Sequence, residues 1–197
     1  GLIHIDQVQG YLASHYQGTP FDPVGQGTAT EKHQYRPISL AKTQESHVLQ
    51  LRPDLPVTLS GIHWLAMGVA AESVYVPFYA GATTTPAAYQ VATEKYDATS
   101  AYWIFKHVGI LVDAHYHELH GELQTVQKEL AIQLGHHIIV TDQQVAALTG
   151  DELAMALTKA NQKAADQALN TMQALAADLI TKSTDMSPLN YDTDLNL

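Results

Sequence analysis

The residues best suited to chemistry in this sequence lie in the ten-residue stretch DAHYHELHGE, from Asp113 to Glu122. It holds three histidines and three carboxylates, and these side chains bind zinc or iron in proteins. On a continuous helix Asp113, His117 and His120 share a face, at spacings i, i+4 and i+7. They are therefore the candidate metal ligands.

Other features of the stretch argue against a metal site. On a helix His115 and His117 point about 160° apart, so this pair cannot hold one ion. The stretch lacks the HExxH arrangement, in which a glutamate base lies between two ligands. His117 also points away from the apolar stripe that begins at Leu119. We therefore expect a solvated helix face, with no metal and no cofactor.

Composition excludes several classes of protein. The 197 residues are 46% hydrophobic, enough for a sizeable core, and no apolar run approaches the ~18 residues that span a bilayer. The net charge of -10 repels nucleic acids and anionic membranes. The first residues lack the pattern of a secretory leader, so we expect a cytoplasmic protein. There is no cysteine, which excludes a cysteine nucleophile within these residues.

Residues 1–81 are predicted to hold a helix, a long loop and antiparallel strands. Apolar spacing favours a helix over 5–16, and Gly, Pro and Thr favour a loop from 18 to 39. Alternation and turn residues favour strands over 47–52, 57–67 and 73–79, with Pro77 placing the third strand at a sheet edge. Two or three strands make a small sheet, so we expect further strands from elsewhere.

Residues 82–184 are predicted to be helical, and residues 185–197 to be a polar, frayed tail. A helical pattern runs from 97 to about 134, and capping boxes at Thr141 and Thr149 predict two further helix starts. The second of these opens an alanine-rich helix over 151–182. The fold class is therefore α+β, and we expect one structural unit without independent domains.

Six strings carry a resemblance to a known family. In chain order they are SHYQ (14–17), FDP (21–23), YRPIS (35–39), TQESHVLQLRPDLP (43–56), IHWLAMG (62–68) and VPFY (76–79). Their order and spacing resemble the C-terminal part of the bacterial dipeptidase A family, whose members are cysteine peptidases of the N-terminal-nucleophile hydrolase class.

The resemblance implies a four-layer αββα fold to which the three strands contribute. It also implies a cysteine at the start of the mature chain, activated by its own α-amino group. This sequence has Gly1 there, so we expect the C-terminal fragment of a dipeptidase, inactive alone, with no catalytic residue of its own. The implied partners are an upstream catalytic half and a small peptide substrate. Tyr35, Arg36 and Trp64 are the candidate substrate-binding residues.

Two alternatives remain open at this point. In the first alternative, the chain would be a stand-alone helical oligomerisation or interaction module that uses the helix over 151–182. In the second, it would be a small metallohydrolase with its metal at Asp113, His117 and His120. The first alternative and the dipeptidase interpretation both predict a homo-oligomer.

Overall fold

A computed structural model describes residues 2–187 and 189 of the chain. Over these residues six helices and three strands follow one another, with short 3-10 turns at Ala70–Glu72 and Ala87–Gln90. The elements are α1 (Ile5–Leu12), α2 (Ala29–Lys32), β1 (Glu45–Leu51), α3 (Val57–Ser60), β2 (Gly61–Met67), β3 (Val76–Tyr79), α4 (Ala101–Ala114), α5 (Tyr116–Val145) and α6 (Gly150–Asp185).

The α+β prediction is confirmed by an antiparallel sheet in the order β1-β2-β3 and by the mainly helical region that follows it. In the register, Val48 faces Trp64 and Trp64 faces Pro77. Pro77 lies on a terminal strand of the sheet, as its missing N–H predicts. The first four residues of the strand predicted over 57–67 form α3 instead, because Pro56 begins a helical turn.

The helices enclose β3 from both faces and from its edge. Val76 and Phe78 pack in one cluster with α4, α5 and α6, while Tyr79 packs in a second cluster with Trp64 and the facing ends of α5 and α6. At the edge, the buried side chain of Asn161 accepts from the Tyr79 N–H at 2.7 Å and donates to the Tyr79 carbonyl at 3.1 Å. One side chain thus replaces a neighbouring strand, and this satisfies two buried backbone groups.

Burial falls across the sheet from β3 to β1. Every residue of β3 is buried, alternate residues of β2 are buried, and no residue of β1 is fully buried. On the outer face of β1, Leu49 and Leu51 are 70% and 78% exposed. The apolar stripe of α5 and the alanine-rich face of α6 are buried as predicted. In the described residues only the outer face of β1 leaves large apolar side chains of the sheet exposed.

Two helix predictions are wrong in an informative way. The helical pattern over 97–134 is broken at His115, whose φ of -141° and ψ of 56° end α4 and begin α5. Thr141 does not start a helix, because it lies inside α5 and is buried there beside Ile138 and Val145. Continued burial of that face outweighs the local capping alternative. Thr149 is the N-cap of α6 as predicted, but its side chain makes no capping hydrogen bond.

The predicted helix over 5–16 ends earlier, at Leu12, and the predicted third strand begins later, at Val76. Residues 188 and 190–197 of the predicted tail 185–197 lie outside the described residues. Within the part of the chain that the structure describes, no helix combines the length and apolarity needed to cross a membrane.

Candidate functional site

The loop after α1 folds back onto the break between α4 and α5 and brings titratable side chains together there. The first pair is His15 and Asp22, whose Nδ1 and Oδ1 atoms lie 3.0 Å apart and are largely buried. Asp22 Oδ1 also accepts from the Val24 N–H at 3.1 Å, so the loop backbone fixes the carboxylate. A carboxylate held in this way orients the imidazole beside it and determines which ring nitrogen carries the proton.

The second pair lies one helical turn apart on α5. The rings of Tyr116 and His120 stack with centroids 4.4 Å apart and an angle of 18° between their planes. Burial, followed by the electrostatic influence of His15, lowers the pKa of His120. Burial, followed by the charge of Asp22, raises the pKa of the Tyr116 hydroxyl to about 12. At neutral pH the structure therefore favours a neutral imidazole on a neutral phenol.

The third pair is made of two carboxyl groups, Glu72 and Asp113. Burial, a hydrogen bond with Asp113 and the charge of Asp113 raise the pKa of Glu72 to about 8, and the charge of Lys106 offsets this in part. Gly109 makes room for the pair, because a Cβ atom there would lie 2.2 Å from Glu72 Oε2. Two carboxyl groups that share a hydrogen bond cannot both ionise easily, so Glu72 keeps its proton near neutral pH.

A cavity of about 290 Å³ connects these groups, and we call it the acidic cavity. Its polar lining includes His15, Glu72, Asp113, Tyr116 and His120, and its apolar wall includes Pro23, Val24, Pro37, Leu40 and Val69. The lining can exchange protons with a small bound molecule or hold a cationic group. Ser39 also borders the cavity, but its Oγ accepts from the Ala71 N–H at 3.0 Å and makes no hydrogen bond to either histidine within the described range.

The three candidate metal ligands do not converge on one point. Asp113 ends α4 and is exposed, His117 is exposed in the first turn of α5, and His120 is stacked on Tyr116. Across residues 2–187 and 189, no group of three or more His, Asp or Glu side chains is arranged to hold a metal ion. The break at His115 removes the continuous helix face on which the prediction of these ligands depended.

The candidate substrate-binding residues lie in two places. Tyr35 is part of an exposed aromatic cluster, with ring centroids 4.9 Å from Phe21 and 6.1 Å from Tyr16. Arg36 is exposed beside it, and its carbonyl accepts from the Tyr16 hydroxyl at 3.3 Å. Trp64 is only 8% exposed and lies in the core, where its Nε1 donates to Gln50 Oε1 at 2.8 Å. Tyr35 and Arg36 are therefore accessible to a ligand, whereas Trp64 packs inside.

Sequence reasoning missed His15, Asp22 and Glu72. The composition of residues 18–39 predicts a loop but no side-chain contacts within it, and Asp22 stands out only as part of the string FDP. Glu72 precedes the third strand and has no charged neighbour in sequence. All three residues acquire their properties from contacts made in the fold, and spacing along the chain does not encode those contacts.

Comparison with known proteins gives consistent matches. The sequence model of peptidase family C69 matches residues 2–129, a range that contains all three strands, α4 and the first part of α5. The chain is 36% identical over 193 residues to dipeptidase A of Lactobacillus helveticus, covering 97% of this chain and 40% of that protein. It is 34% identical over 195 residues to a probable dipeptidase of Latilactobacillus sakei, covering 99% and 41%. The chain thus spans about 40% of the length of these relatives.

Proposed function

The chain belongs to peptidase family C69, and we propose that it is the C-terminal part of a cytoplasmic dipeptidase that hydrolyses short peptides through a cysteine nucleophile. The 197 residues contain no cysteine, so in this proposal the nucleophile comes from an upstream part of the same protein. The matched relatives are named dipeptidases, and they are long enough to include such a part.

The observation that carries this proposal is the uncovered side of the sheet. β1 is a seven-residue terminal strand without proline, and in the described residues only β2 pairs with it. Its outer face exposes Leu49 and Leu51. Natural proteins protect long edge strands with charges, proline, bulges or a covering element. β1 carries only Glu45 at its start, so a covering element is the simplest account of this edge.

Upstream strands would complete this side of the sheet. One strand would pair with the free edge of β1, and further upstream elements would cover His47, Leu49 and Leu51, on the part of this face that the helices leave open. The αββα arrangement is what the family resemblance implies for the completed sheet. Burying both leucines would contribute roughly 3 kcal/mol to the association. In this arrangement the chain supplies no catalytic residue. Tyr35 and Arg36 are proposed to border the peptide substrate, and Trp64 supports the sheet from its covered face.

The alternative of a helical interaction module has less support. The alanine-rich face of α6 is buried by other elements of the same chain, so it is not free to bind a partner. Self-association of the completed enzyme remains part of our proposal, because Ile132, Ile139 and Met155 are exposed on α5 and α6.

A chimera tests this role of β1. The chain replaces the matching 40% of dipeptidase A of Lactobacillus helveticus, and Leu51→Lys is compared with Ile110→Lys, which also places a lysine at an exposed apolar position. We expect Leu51→Lys to lower the yield of folded chimera and its dipeptidase activity at least tenfold, and Ile110→Lys to leave both within twofold. Equal activity of the two variants would contradict the proposed role of β1.

A further inference from the structure

A groove of about 490 Å³ crosses the part of the sheet face that the helices leave open. Its floor is a row of three side chains that the strand register places side by side: Leu49 of β1, His63 of β2 and Phe78 of β3. Leu65, on the same face of β2, extends this floor. We call the cavity the sheet groove. Its volume is within the range of pockets that enclose a bound group.

The sheet groove is closed at one end and open at the other. At the closed end Phe78 is only 8% exposed, and its ring meets the ring of Tyr89 edge to face with centroids 4.9 Å apart. At the open end Leu49 is 70% exposed, and His63 between them is half-buried. The apolar floor therefore continues from the core of this chain out to a leucine that stays in contact with water.

The loop that follows β3 forms the wall of the groove, and hydrogen bonds fix this loop in place. The Thr83 N–H donates to Thr158 Oγ1 on α6 at 2.9 Å, and the hydroxyl oxygens of these two threonines lie 3.0 Å apart. The Gln90 side-chain amide donates to the Thr85 carbonyl at 2.6 Å. Thr84, between the two anchored residues, is exposed in the lining. An occupant therefore does not have to order this wall when it enters.

The lining of the sheet groove favours an apolar occupant. Within the described residues no aspartate, glutamate, lysine or arginine lines it, although the chain carries a net charge of -10. Burial, followed by the electrostatic influence of His47, lowers the pKa of His63, and the charge of Glu45 offsets this in part. The imidazole in the floor is therefore neutral at neutral pH. An ion in this groove would lose water without gaining a charged partner, whereas an apolar group would not.

The part of the protein that lies outside this chain is long enough to supply the occupant. The chain spans about 40% of the length of its relatives, so more than half of a protein of that length lies outside it. In the proposed function an upstream part pairs with β1, and Leu49 at the open end of the groove belongs to β1. A strand beside β1 would bring the chain that adjoins it over Leu49.

We propose that an apolar segment of the upstream part enters the sheet groove from the β1 side and inserts a large aliphatic or aromatic side chain between Leu49 and the loop that follows β3. Such a side chain would remove Leu49 and Leu65 from water and would desolvate no ion. A few buried anchors in preformed pockets carry most of the binding energy of protein interfaces. This inference rests on the proposed function, which requires the upstream part to reach β1 but assigns no pocket to it.

A single cysteine in the wall of the groove tests this occupant, because the chain has no cysteine of its own. Thr84→Cys places a thiol in the groove, and Ile110→Cys places a matched thiol at an exposed position on α4. Alkylation by iodoacetamide is followed by the mass of the peptide that carries the new cysteine, in the 197-residue chain and in the chimera with dipeptidase A of Lactobacillus helveticus. We expect Thr84→Cys to react at least tenfold more slowly in the chimera than in the chain alone, and Ile110→Cys to react within twofold of the same rate in both.

A second pair of variants tests whether the occupant is apolar. In the Thr84→Cys chimera, Leu49→Asp places a carboxylate at the open end of the groove and should abolish the slow alkylation, whereas Leu49→Met keeps the position apolar and should preserve it. Equal alkylation rates in these two variants would overturn the proposal.

Dipeptidase activity separates failure of this inference from failure of the proposed function. An active chimera in which Thr84→Cys reacts as fast as in the chain alone would overturn the inference and leave the proposed function standing. An inactive chimera in which Thr84→Cys stays reactive would overturn both. Slow alkylation that appears only at high protein concentration would identify a second copy as the occupant, and slowing that requires added dipeptide would identify the substrate. Either result would also overturn the inference.

Discussion

Replacing Glu72 with glutamine should change how the stability of the fold depends on pH. The raised pKa of about 8, against an ordinary value of 4.5, means that the folded chain holds a proton on this carboxyl group that the unfolded chain has released. The contribution of Glu72 to the free energy of unfolding is therefore fully present below pH 4.5 and is lost as the pH rises through about 8. Glutamine keeps the shape and the hydrogen-bonding capacity of the protonated acid, so Glu72→Gln should remove this loss.

The size of the effect follows from proton linkage. One proton held only by the folded state changes the free energy of unfolding by about 1.4 kcal/mol per pH unit. Between about pH 5.5 and about pH 7.5 the ceiling is therefore roughly 2.5 kcal/mol. Glu72 is partly buried and Asp113 is exposed, so solvent screening should reduce the observed difference to about 1 kcal/mol.

Urea unfolding at several pH values between about 5.5 and 7.5 measures this difference for the parent chain and for Glu72→Gln. Burial lowers the pKa of His63, His120 and His137, and these groups make stability rise with pH in the same range. The histidine contributions are common to both proteins and cancel in the difference. Glu118→Gln, which removes an exposed carboxylate, is the control variant and should show the same pH profile as the parent. We expect Glu72→Gln to gain about 1 kcal/mol relative to the parent as the pH rises. Parallel pH profiles would refute a retained proton on Glu72.

Further predictions concern single contacts. Asn161→Ala should lower the free energy of unfolding by about 3 kcal/mol, because two buried backbone groups of Tyr79 lose their partner, and a loss below about 1 kcal/mol in urea unfolding would contradict this. Gly109→Ala should displace the Glu72 carboxyl and so reproduce the flatter pH profile of stability that we expect for Glu72→Gln. An unchanged profile would contradict this, because the carboxyl would then keep its proton despite the added methyl group. Leu49→Lys should change the stability of the isolated chain by less than about 0.5 kcal/mol, and a larger loss would mean that this face is already covered.

Local patterns in the sequence predicted the three strands, the long helices and most of their buried faces, but not α2, α3 or the break at His115. The spacing of Leu119, Leu123, Leu130 and Leu134 identified the buried face of α5, because a long amphipathic helix has one way to bury its stripe. The capping box at Thr141 predicted a helix start that the structure does not have, because capping is a local preference of about 1 kcal/mol and burial along α5 contributes more.

The polar groups of the candidate site were much less predictable. The carboxyls of Glu72 and Asp113 meet because the turn before β3 packs against the end of α4, and Gly109 is the residue that permits it. A sequence shows these residue types but not the packing that brings them together. The stretch from Asp113 to Glu122 was a correct place to look, since Asp113, Tyr116 and His120 line the acidic cavity, although the sequence led us to expect only a solvated helix face there.

Dipeptidase activity of this chain tests the central proposal most directly, assayed alone and as a chimera with the remaining part of dipeptidase A of Lactobacillus helveticus, with and without a thiol-alkylating reagent. The proposal predicts no activity from the chain alone, activity in the chimera, and loss of that activity on alkylation, since only the added part can supply a cysteine. Activity of the chain alone that survives alkylation would contradict it, as would a folded chimera that hydrolyses no dipeptide.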